Sequence, residues 1–379
     1  MGKRTRLGVI YSYNDKWIGG SYYIMNMISA LKTLPDESQP FIIILSNDIV
    51  HFNQITSIGY RYLSYVNPYN VDSNIFIKQI RRWIINYNIK KLLDKILLKF
   101  KIDVLFPANN ESCYSLIKNK IYWVPDFQHL LFPENFSDFE IERRLRLIKS
   151  IALSEAKLLL SSKTAKQHWD SLAFEKKCSV VISPFAVTHP DISNIDYMSL
   201  ADEFSLKKPY FIVSNQFWRH KNHFIVLEAI FLLFRKGYDF EIVFTGNYIG
   251  QDCENTFKKF YDFCKNSEFS FNVKILGLIN RDKQLALMNY SLAVIQPSFF
   301  EGWSTVVEDA KSLSKFIIAS DIEVHREQLS SNVLFFDPLN SVDLSECCLK
   351  VLRKEVSVIK YDYSIAIKNF GIDLHTIFK

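Results

Sequence analysis

Short apolar runs alternate with amphipathic helical segments along nearly the whole chain, and this alternation constrains the fold most. The predicted strands of the first half read LGVIYS, FIIIL, IDVLFPA, IYWVPD, KLLLSS and CSVVISP. Those of the second half read YFIVSN, FEIVFTG, VKILG, LAVIQPS and KFIIAS. Strands without polar alternation are typical of parallel sheets that are covered on both faces by helices. The sequence therefore predicts a doubly wound α/β protein.

The length of 379 residues exceeds the usual size of a single hydrophobic core, which favours two domains. The strand–helix pattern pauses over residues 185–208, where Pro, Asp and Ser collect. We predict a first domain over 1–190, a second over 205–355, and a final helical segment over 356–379. Two such domains imply a cleft, with ligands at the carboxyl ends of the strands.

The net charge of +6 is unevenly distributed. Residues 1–199 hold 25 Lys and Arg against 18 acids, whereas residues 200–379 hold 21 against 22. The densest segment, 77–101, carries eight basic residues and one acid, Asp94. Two interpretations stay open: helices packed on the first sheet with a solvated basic face, or peripheral docking on an anionic membrane. No nucleic-acid-binding motif accompanies these charges, so no nucleic-acid partner is predicted.

Several motifs with a known chemistry are missing from the sequence. The six cysteines form no C-x-x-C pair and no zinc-ligand spacing, which predicts reduced thiols in a cytoplasmic protein. No apolar run resembles a signal peptide or approaches the ~20 residues of a membrane span. Neither a G-x-G-x-x-G dinucleotide fingerprint nor a G-x-S-x-G nucleophile elbow occurs.

The stretch 297–321, PSFFEGWSTVVEDAKSLSKFIIASD, reads as the end of a strand, a loop, a helix and the next strand. The free amides of the first helical turn, around Trp303, Ser304 and Thr305, can donate to a phosphate. Gly302 allows the backbone to approach that phosphate closely. The helix entry is therefore a predicted anion site.

Three acids surround this anion site, which suggests a ligand that is anionic at one end and rich in hydroxyls at the other. Glu301 precedes the turn, and Glu308 and Asp309 follow it. The T-x-x-E spacing of Thr305 and Glu308 predicts a capping box, which makes Glu308 a structural cap. A helical wheel places Asp309 beside the buried face of Val306, Ala310 and Leu313, and Glu308 opposite it. A buried acid needs hydrogen bonds, and ribose hydroxyls would supply them, so Asp309 is favoured as the ligand contact.

Glu301, Asp309 and the strand FIIASD resemble the E-x7-E region of retaining glycosyltransferases of the GT-B fold, family 4. In that family the first Glu touches the donor sugar and the second holds the nucleotide ribose. Here Asp309 stands at the second position with Glu308 just before it, which leaves open which of the two reaches the ribose.

The stretch FIVSNQFWRHKNHFIVLEAI resembles the first strand, loop and helix of the family's donor-binding domain. Lys221 matches the lysine that contacts the donor diphosphate. Gln216 stands where the family usually has a basic residue, so Arg219 offers a second charge. Such cations make charge-assisted hydrogen bonds to a diphosphate. The alternative is a solvated turn that caps a helix.

The first domain resembles the family more loosely. The loop ending in Gly19 and Gly20 abuts the sugar and diphosphate in the family, so both glycines become candidate backbone donors. The pattern PDFQH…PE-FS resembles a stretch that faces the acceptor in bacterial members. Asp126 would then orient or deprotonate the acceptor hydroxyl, and His129 would bond the sugar or an acceptor group. A lone His is more often structural than catalytic.

The resemblance implies two Rossmann-like domains facing across a cleft, with the final helix crossing back to the first. It implies that a hexose or related sugar is transferred, with retention, from a nucleotide-diphosphate sugar to a saccharide or lipid-linked saccharide. The implied role is bacterial surface-polysaccharide synthesis (O-antigen, capsule or lipopolysaccharide). Asp126, His129, Lys221 and Glu301 would be catalytic. No D-x-D motif occurs, so no metal or other cofactor is expected. The alternatives are a sugar-nucleotide epimerase of the same architecture and a non-catalytic membrane scaffold.

Overall fold

The structure is a computed structural model that describes residues 4–13, 18–46, 49–67, 99–108, 117–360 and 362–379. It divides into two compact units, Met1–Thr188 with Ser364–Lys379, and His189–Tyr363. The second unit begins at residue 189, whereas the sequence predicted a second domain from residue 205. Residues 364–379, which fall in the predicted final helical segment, belong to the first unit. Most of the basic segment 77–101 and Cys113 lie outside the described residues, so the membrane interpretation stays a prediction. No helix in the described part of the chain has the length and apolarity needed to span a bilayer.

The first unit contains a seven-stranded parallel sheet in the order β3-β2-β1-β4-β5-β6-β7. Its strands are β1 Arg6–Ile10, β2 Phe41–Leu45, β3 Leu63–Val66, β4 Val104–Ala108, β5 Asn119–Trp123, β6 Lys157–Leu160 and β7 Ser179–Ile182. The described helices up to β7 are α1 Ile18–Lys32, α2 Ile49–Thr56, α3 Gln128–Leu131, α4 Asp138–Ala152 and α5 Lys163–Asp170.

The second unit contains a six-stranded parallel sheet in the order β10-β9-β8-β11-β12-β13. Its strands are β8 Tyr210–Ser214, β9 Glu241–Thr245, β10 Val273–Gly277, β11 Val294–Gln296, β12 Ile317–Ser320 and β13 Val333–Phe336. Its helices are α6 Tyr197–Phe204, α7 His223–Arg235, α8 Gln251–Lys265, α9 Arg281–Tyr290, α10 Thr305–Ser312, α11 Glu323–Gln328 and α12 Ser341–Leu352. The strand order reverses between β8 and β11, which makes their carboxyl ends the expected ligand site.

The two faces of the second sheet explain its uninterrupted apolar strands. Phe211 and Val213 of β8 pack into a core cluster that includes residues of α7 and α12. Tyr210 and Ile212 of the same strand pack into a separate cluster with residues of α6, α9 and α10. Since both faces are buried, neither set of alternating positions can be polar. The predicted α/β class with two Rossmann-like units is confirmed.

Strands β3 and β13 were not predicted from the sequence. Each lies at an edge of its sheet, and each is only four residues long. All of β3 and three of the four residues of β13 are only partly buried. In β3, LSYV, a serine interrupts the apolar run by which the central strands are recognised. Strand β13, VLFF, is apolar throughout, but an apolar run of only four residues does not by itself distinguish a strand from a buried helical segment.

The final helix, α13 Ser364–Phe378, packs on α1 in the first unit. The ring of Phe378 packs in a tilted arrangement against that of Phe106 in β4, with ring centroids 5.4 Å apart. Lys157 at the start of β6 donates through Nζ to the backbone carbonyl of Ile377 at 2.9 Å. The backbones of α13 and α1 meet at Gly371, where an added Cβ would lie 2.5 Å from the carbonyl oxygen of Ala30.

Replacing Gly371 with Ala should destabilise the protein by about 1–3 kcal/mol, because the methyl group would force the two helices apart. Helix propensity alone would favour the same change by ~1 kcal/mol. Thermal unfolding followed by circular dichroism measures the difference. Lys368→Ala, at an exposed position of the same helix, is the matched control and should leave the midpoint nearly unchanged. A Gly371→Ala protein as stable as this control would contradict the tight contact.

Candidate functional site

Lys221 and Glu301 meet where the chain leaves β8 and β11. Lys221 lies in a short 3-10 turn after β8, and Glu301 lies in the loop between β11 and α10. The ammonium nitrogen of Lys221 is 2.6 Å from Oε1 of Glu301. A backbone hydrogen bond from Phe299 N to His220 O, at 2.8 Å, ties the two loops together. Two residues 80 positions apart are thus joined at the point where the strand order reverses.

Glu301 is charged although it is nearly buried. Its side chain is 9% exposed and that of Lys221 is 16% exposed. Burial raises the pKa of Glu301, but Lys221, with smaller contributions from His220 and His325, outweighs this effect and lowers the pKa below its ordinary value. The carboxylate is therefore ionised at neutral pH.

Polar side chains around β11 complete the hydrogen bonding of Glu301. Oε1 also accepts from Gln296 Nε2 and from Ser298 Oγ, each at 2.7 Å. Gln296 is held in turn by Asn215 at the end of β8, whose amide nitrogen donates to Gln296 Oε1 at 2.8 Å. The signal for Gln296 was present in the sequence, as a polar residue that ends an apolar strand.

The start of α10 corrects two predictions. Ser304 is the N-cap residue, and its hydroxyl accepts from Val307 N at 3.4 Å. The predicted capping box of Thr305 and Glu308 is wrong, because the cap lies one residue earlier and position N3 is then Val307. The amide of Ser304 donates to Gln328 Oε1 at 3.1 Å, so it is not free to bind a phosphate.

The other predicted residues of the helix entry have mixed environments. Gly302, Trp303 and Thr305 lie partly buried between Glu301 and the body of α10. On the β8 side, Gln216 Oε1 accepts from the indole nitrogen of Trp218 at 2.8 Å. Arg219 is exposed at the start of the 3-10 turn.

Glu308 is buried and fully engaged, which contradicts its predicted place on the outer face of the helix. It is 2% exposed. Oε1 accepts from Lys311 Nζ at 2.8 Å and from Gln328 Nε2 at 2.9 Å, and Oε2 accepts from the hydroxyl of Tyr363. The wheel failed because α10 is covered by α11 and by Tyr363 as well as by the sheet. We call Glu308, Lys311, Gln328 and Tyr363 the Glu308 clasp.

Asp309 is buried as the wheel predicted, but its partner was not foreseen. Oδ1 accepts from the guanidinium of Arg281 at the start of α9, whereas Oδ2 is buried with no hydrogen-bond partner. His189 Nε2 lies 4.0 Å from Oδ1. Burial lowers the pKa of His189 to about 4, although Asp309 acts in the opposite direction. One oxygen of Asp309 is thus left for a further donor.

The predicted residues of the first unit lie near the amino ends of helices. Gly19 and Gly20 fall within the first turn of α1 and not in a loop before it. Asp126 Oδ1 accepts from Gln128 N at 3.0 Å, which caps the turn into α3. His129 is 2% exposed, and its two ring nitrogens have no hydrogen-bond partner. Burial, together with Arg144, lowers the pKa of His129 to about 4, so it is neutral at physiological pH.

Comparison with known proteins agrees with this geometry. Residues 201–365, less than half of the chain, match the family model of glycosyl transferases group 1. A search of curated proteins gave no match. The match covers Lys221, Glu301, the Glu308 clasp and Asp309.

Solved glycosyltransferase structures are similar over the whole chain. A glycosyltransferase from Rickettsia africae has a TM-score of 0.65 at 14% identity, covering 100% of this chain and 94% of its own. HepE from Anabaena, in complex with UDP and glucose, has a TM-score of 0.65 at 13% identity, covering 99% and 95%. The lipopolysaccharide outer core galactosyltransferase WaaB, in its apo form, has a TM-score of 0.57 at 16% identity, covering 98% and 99%. The family match lies almost entirely in the second unit, and these neighbours show that the chain has the GT-B fold.

Replacing Tyr363 with Phe should destabilise the protein by about 1–3 kcal/mol, because Oε2 of buried Glu308 would lose its hydrogen bond. Urea unfolding measures the change. The matched control is Tyr290→Phe, which removes the hydroxyl bonded to Ile195 O at an exposed site. If both variants lost equally little stability, the clasp would not contribute to folding.

Proposed function

We propose that the protein is a retaining family 4 glycosyltransferase that moves a hexose or related sugar from a nucleotide-diphosphate sugar to a saccharide or lipid-linked saccharide acceptor. The observation that carries the proposal is the buried Lys221–Glu301 pair at the strand-order reversal of the second unit. HepE, a structural neighbour, was solved with UDP and glucose, which supports a sugar nucleotide as the donor. The structural neighbour WaaB is a lipopolysaccharide outer core galactosyltransferase. This supports the proposal of a role in bacterial surface-polysaccharide synthesis at the cytoplasmic face of the inner membrane.

Lys221 is proposed to hold the donor diphosphate. An ammonium has three donors, and Glu301 takes one of them. The charges of Lys221 and Glu301 cancel, so the pair alone does not neutralise a diphosphate. Arg219, which is exposed on the same turn, and the helix-entry backbone at Gly302, Trp303 and Thr305 supply the additional positive potential. In this proposal no metal ion is required for leaving-group departure.

Glu301 is proposed to bind hydroxyl groups of the transferred sugar. Its carboxylate is ionised and is held in place by Gln296, Ser298 and Lys221. A fixed carboxylate accepts hydroxyl hydrogen bonds without first losing conformational freedom, which favours one orientation of the sugar. In this proposal the pair binds the groups on both sides of the bond that breaks, because Lys221 binds the phosphate and Glu301 binds the sugar.

The ribose is assigned to Asp309 and not to Glu308. Both oxygens of Glu308 already accept hydrogen bonds from the protein, whereas Oδ2 of Asp309 has no partner. A ribose hydroxyl that donates to Oδ2 would satisfy this buried atom. Arg281 would hold the carboxylate in place through Oδ1.

The proposed transfer breaks the bond between the anomeric carbon and the phosphate oxygen and forms one to the acceptor oxygen on the same face of the sugar. The proton of the acceptor hydroxyl passes to the departing diphosphate. Asp126 and His129 of the first unit are proposed to orient the acceptor, and His129 does so as a neutral imidazole. Gly19 and Gly20 contribute backbone amides from the first turn of α1.

The decisive experiment removes the charges of the buried pair without leaving one of them unpaired. Lys221→Met alone would leave the carboxylate of Glu301 without its cation and so reduce stability. The double variant Lys221→Met/Glu301→Gln avoids this, and we expect it to fold but to bind nucleoside diphosphate about 10- to 100-fold more weakly.

A panel of UDP- and GDP-sugars is first screened for thermal stabilisation of the wild type. Binding of the preferred nucleotide is then measured by calorimetry, and transfer is measured in EDTA. Lys283→Met, on a surface ion pair of the second unit, is the control and should match the wild type. Wild-type turnover by the double variant would refute the site. Conversion of the donor to another sugar nucleotide without an acceptor would instead indicate an epimerase.

Asp309→Asn and Glu308→Gln should separate ligand binding from stability. We expect Asp309→Asn to weaken binding of UDP or GDP by about tenfold or more, because a charged acceptor of the ribose is lost. Glu308→Gln should lower the unfolding midpoint and leave nucleotide affinity within about twofold. The assignment would be reversed if Glu308→Gln weakened binding and Asp309→Asn did not.

A further inference from the structure

Three neighbouring side chains of the first unit hold buried nitrogen atoms that have no hydrogen-bond partner. They are Gln128 Nε2, both ring nitrogens of His129, and Arg144 Nε. Gln128 and His129 lie in α3, just beyond the carboxyl end of β5, and Arg144 lies in α4. We call these three residues the Arg144 cluster. Buried polar groups are nearly always paired in native proteins, so a concentration of unpaired ones needs an explanation.

Phe136 contacts two of the three side chains of the cluster. The guanidinium of Arg144 lies over its ring, 4.7 Å from the centroid. His129 meets the same ring edge-on, with centroids 6.3 Å apart. Arg144 is close enough to His129 to lower the pKa of the imidazole. Stacking on Phe136 therefore fixes the position of Arg144 without using its hydrogen-bond donors.

The acid best placed to neutralise Arg144 is engaged elsewhere. Glu140 is one helical turn before Arg144, at the spacing of a helical ion pair. Its Oε2 instead accepts from the backbone amide and the hydroxyl of Ser137, which forms the capping box of α4. Glu140 therefore makes its hydrogen bonds to Ser137, although Arg144 is still close enough to contribute to lowering the pKa of Glu140.

The chemistry of the cluster selects an anion. The amide nitrogen of Gln128 and Nε of Arg144 are donors only, and a neutral His129 contributes one donor and one acceptor, so donors predominate. A donor that stays buried without a partner destabilises the folded protein. A carboxylate or phosphate offers several acceptor lone pairs together with a negative charge, and Arg binds both groups through its planar fork.

We propose that the Arg144 cluster binds an anionic group of the sugar acceptor, so that the acceptor is an acidic or phosphorylated saccharide. This inference rests on the proposed function, because it deepens the acceptor role of His129. The cluster lies at the carboxyl edge of the first sheet, where ligands of such folds bind. In this proposal Gln128 and Arg144 supply specificity for the anion, and His129 contributes a further donor beside Arg144.

The test compares two adjacent arginines of α4. Arg143 is exposed and Arg144 is partly buried against Phe136, so Arg143→Met and Arg144→Met remove the same charge from neighbouring positions. Binding of sodium glucuronate, inorganic phosphate and glucose is measured by NMR titration of the full-length protein. We expect the wild type to bind at least one anion and to bind glucose more weakly. Arg144→Met should weaken anion binding about tenfold or more, and Arg143→Met less than twofold.

The outcomes distinguish the source of the anion. Arg144-dependent binding of glucuronate alone supports a uronic-acid type of carboxylate, and such binding of phosphate alone supports a phosphorylated acceptor. Equal loss in the two variants, or no anion binding by the wild type, would overturn the proposal. UDP affinity is measured in parallel and should be unchanged by Arg144→Met. A wild type that binds UDP but neither anion would refute only this inference, whereas a wild type that binds no nucleotide would refute the proposed function.

Discussion

The buried pair of Lys221 and Glu301 is the interaction on which the site of the second unit depends. Transferring two charges from water into a protein interior costs several kcal/mol for each ion, and their attraction offsets this only when further hydrogen bonds are present. Gln296 and Ser298 supply those bonds, and Asn215 holds Gln296. All of these partners lie at the ends of β8 and β11 or in the loops that follow. The pair is therefore stable only where these two strands lie side by side, which the strand order of the sheet guarantees.

Two consecutive acids of α10 show how the surroundings assign different roles to similar side chains. Glu308 is surrounded by donors from α10, α11 and Tyr363, so its carboxylate stabilises the helix within the unit. One oxygen of Asp309 accepts from Arg281, and the other oxygen has no hydrogen-bond partner. A short side chain that is buried beside a single cation cannot satisfy all its lone pairs within the protein. The acid with the unsatisfied atom is therefore better suited to a ligand than the acid with three protein partners.

Sequence reasoning recovered the parts of this structure that are encoded locally. The central strands were recognisable because burial on both faces leaves a continuous apolar run. Glu301 was noticed because it precedes an acid-rich helix entry, whereas Lys221 was singled out only by the family resemblance. The edge strand β3 lacks that run because Ser64 interrupts it, whereas β13, VLFF, was missed although all four of its residues are apolar. The cap of α10 was misplaced because Ser304 and Thr305 are adjacent and both can cap a helix. The partners of Glu308 and Asp309 were missed because Gln328, Tyr363 and Arg281 are 20 to 55 residues away in sequence, and only the fold brings them near.

Some of the unsatisfied polar atoms of the two units follow the carboxyl ends of strands. In the second unit, Oδ2 of Asp309 lies in the helix that follows β11, and Nε2 of His325 lies in the helix that follows β12. In the first unit, the atoms of Gln128 and His129 follow β5. Other such atoms lie within elements, as in Tyr23 of α1 and Ser64 of β3. Unpaired donors and acceptors held in fixed positions lower stability, but they also bind a ligand with little reorganisation. In the proposed function, Asp309 accepts from ribose hydroxyls in the second unit, and Gln128 and Arg144 donate to an anion in the first.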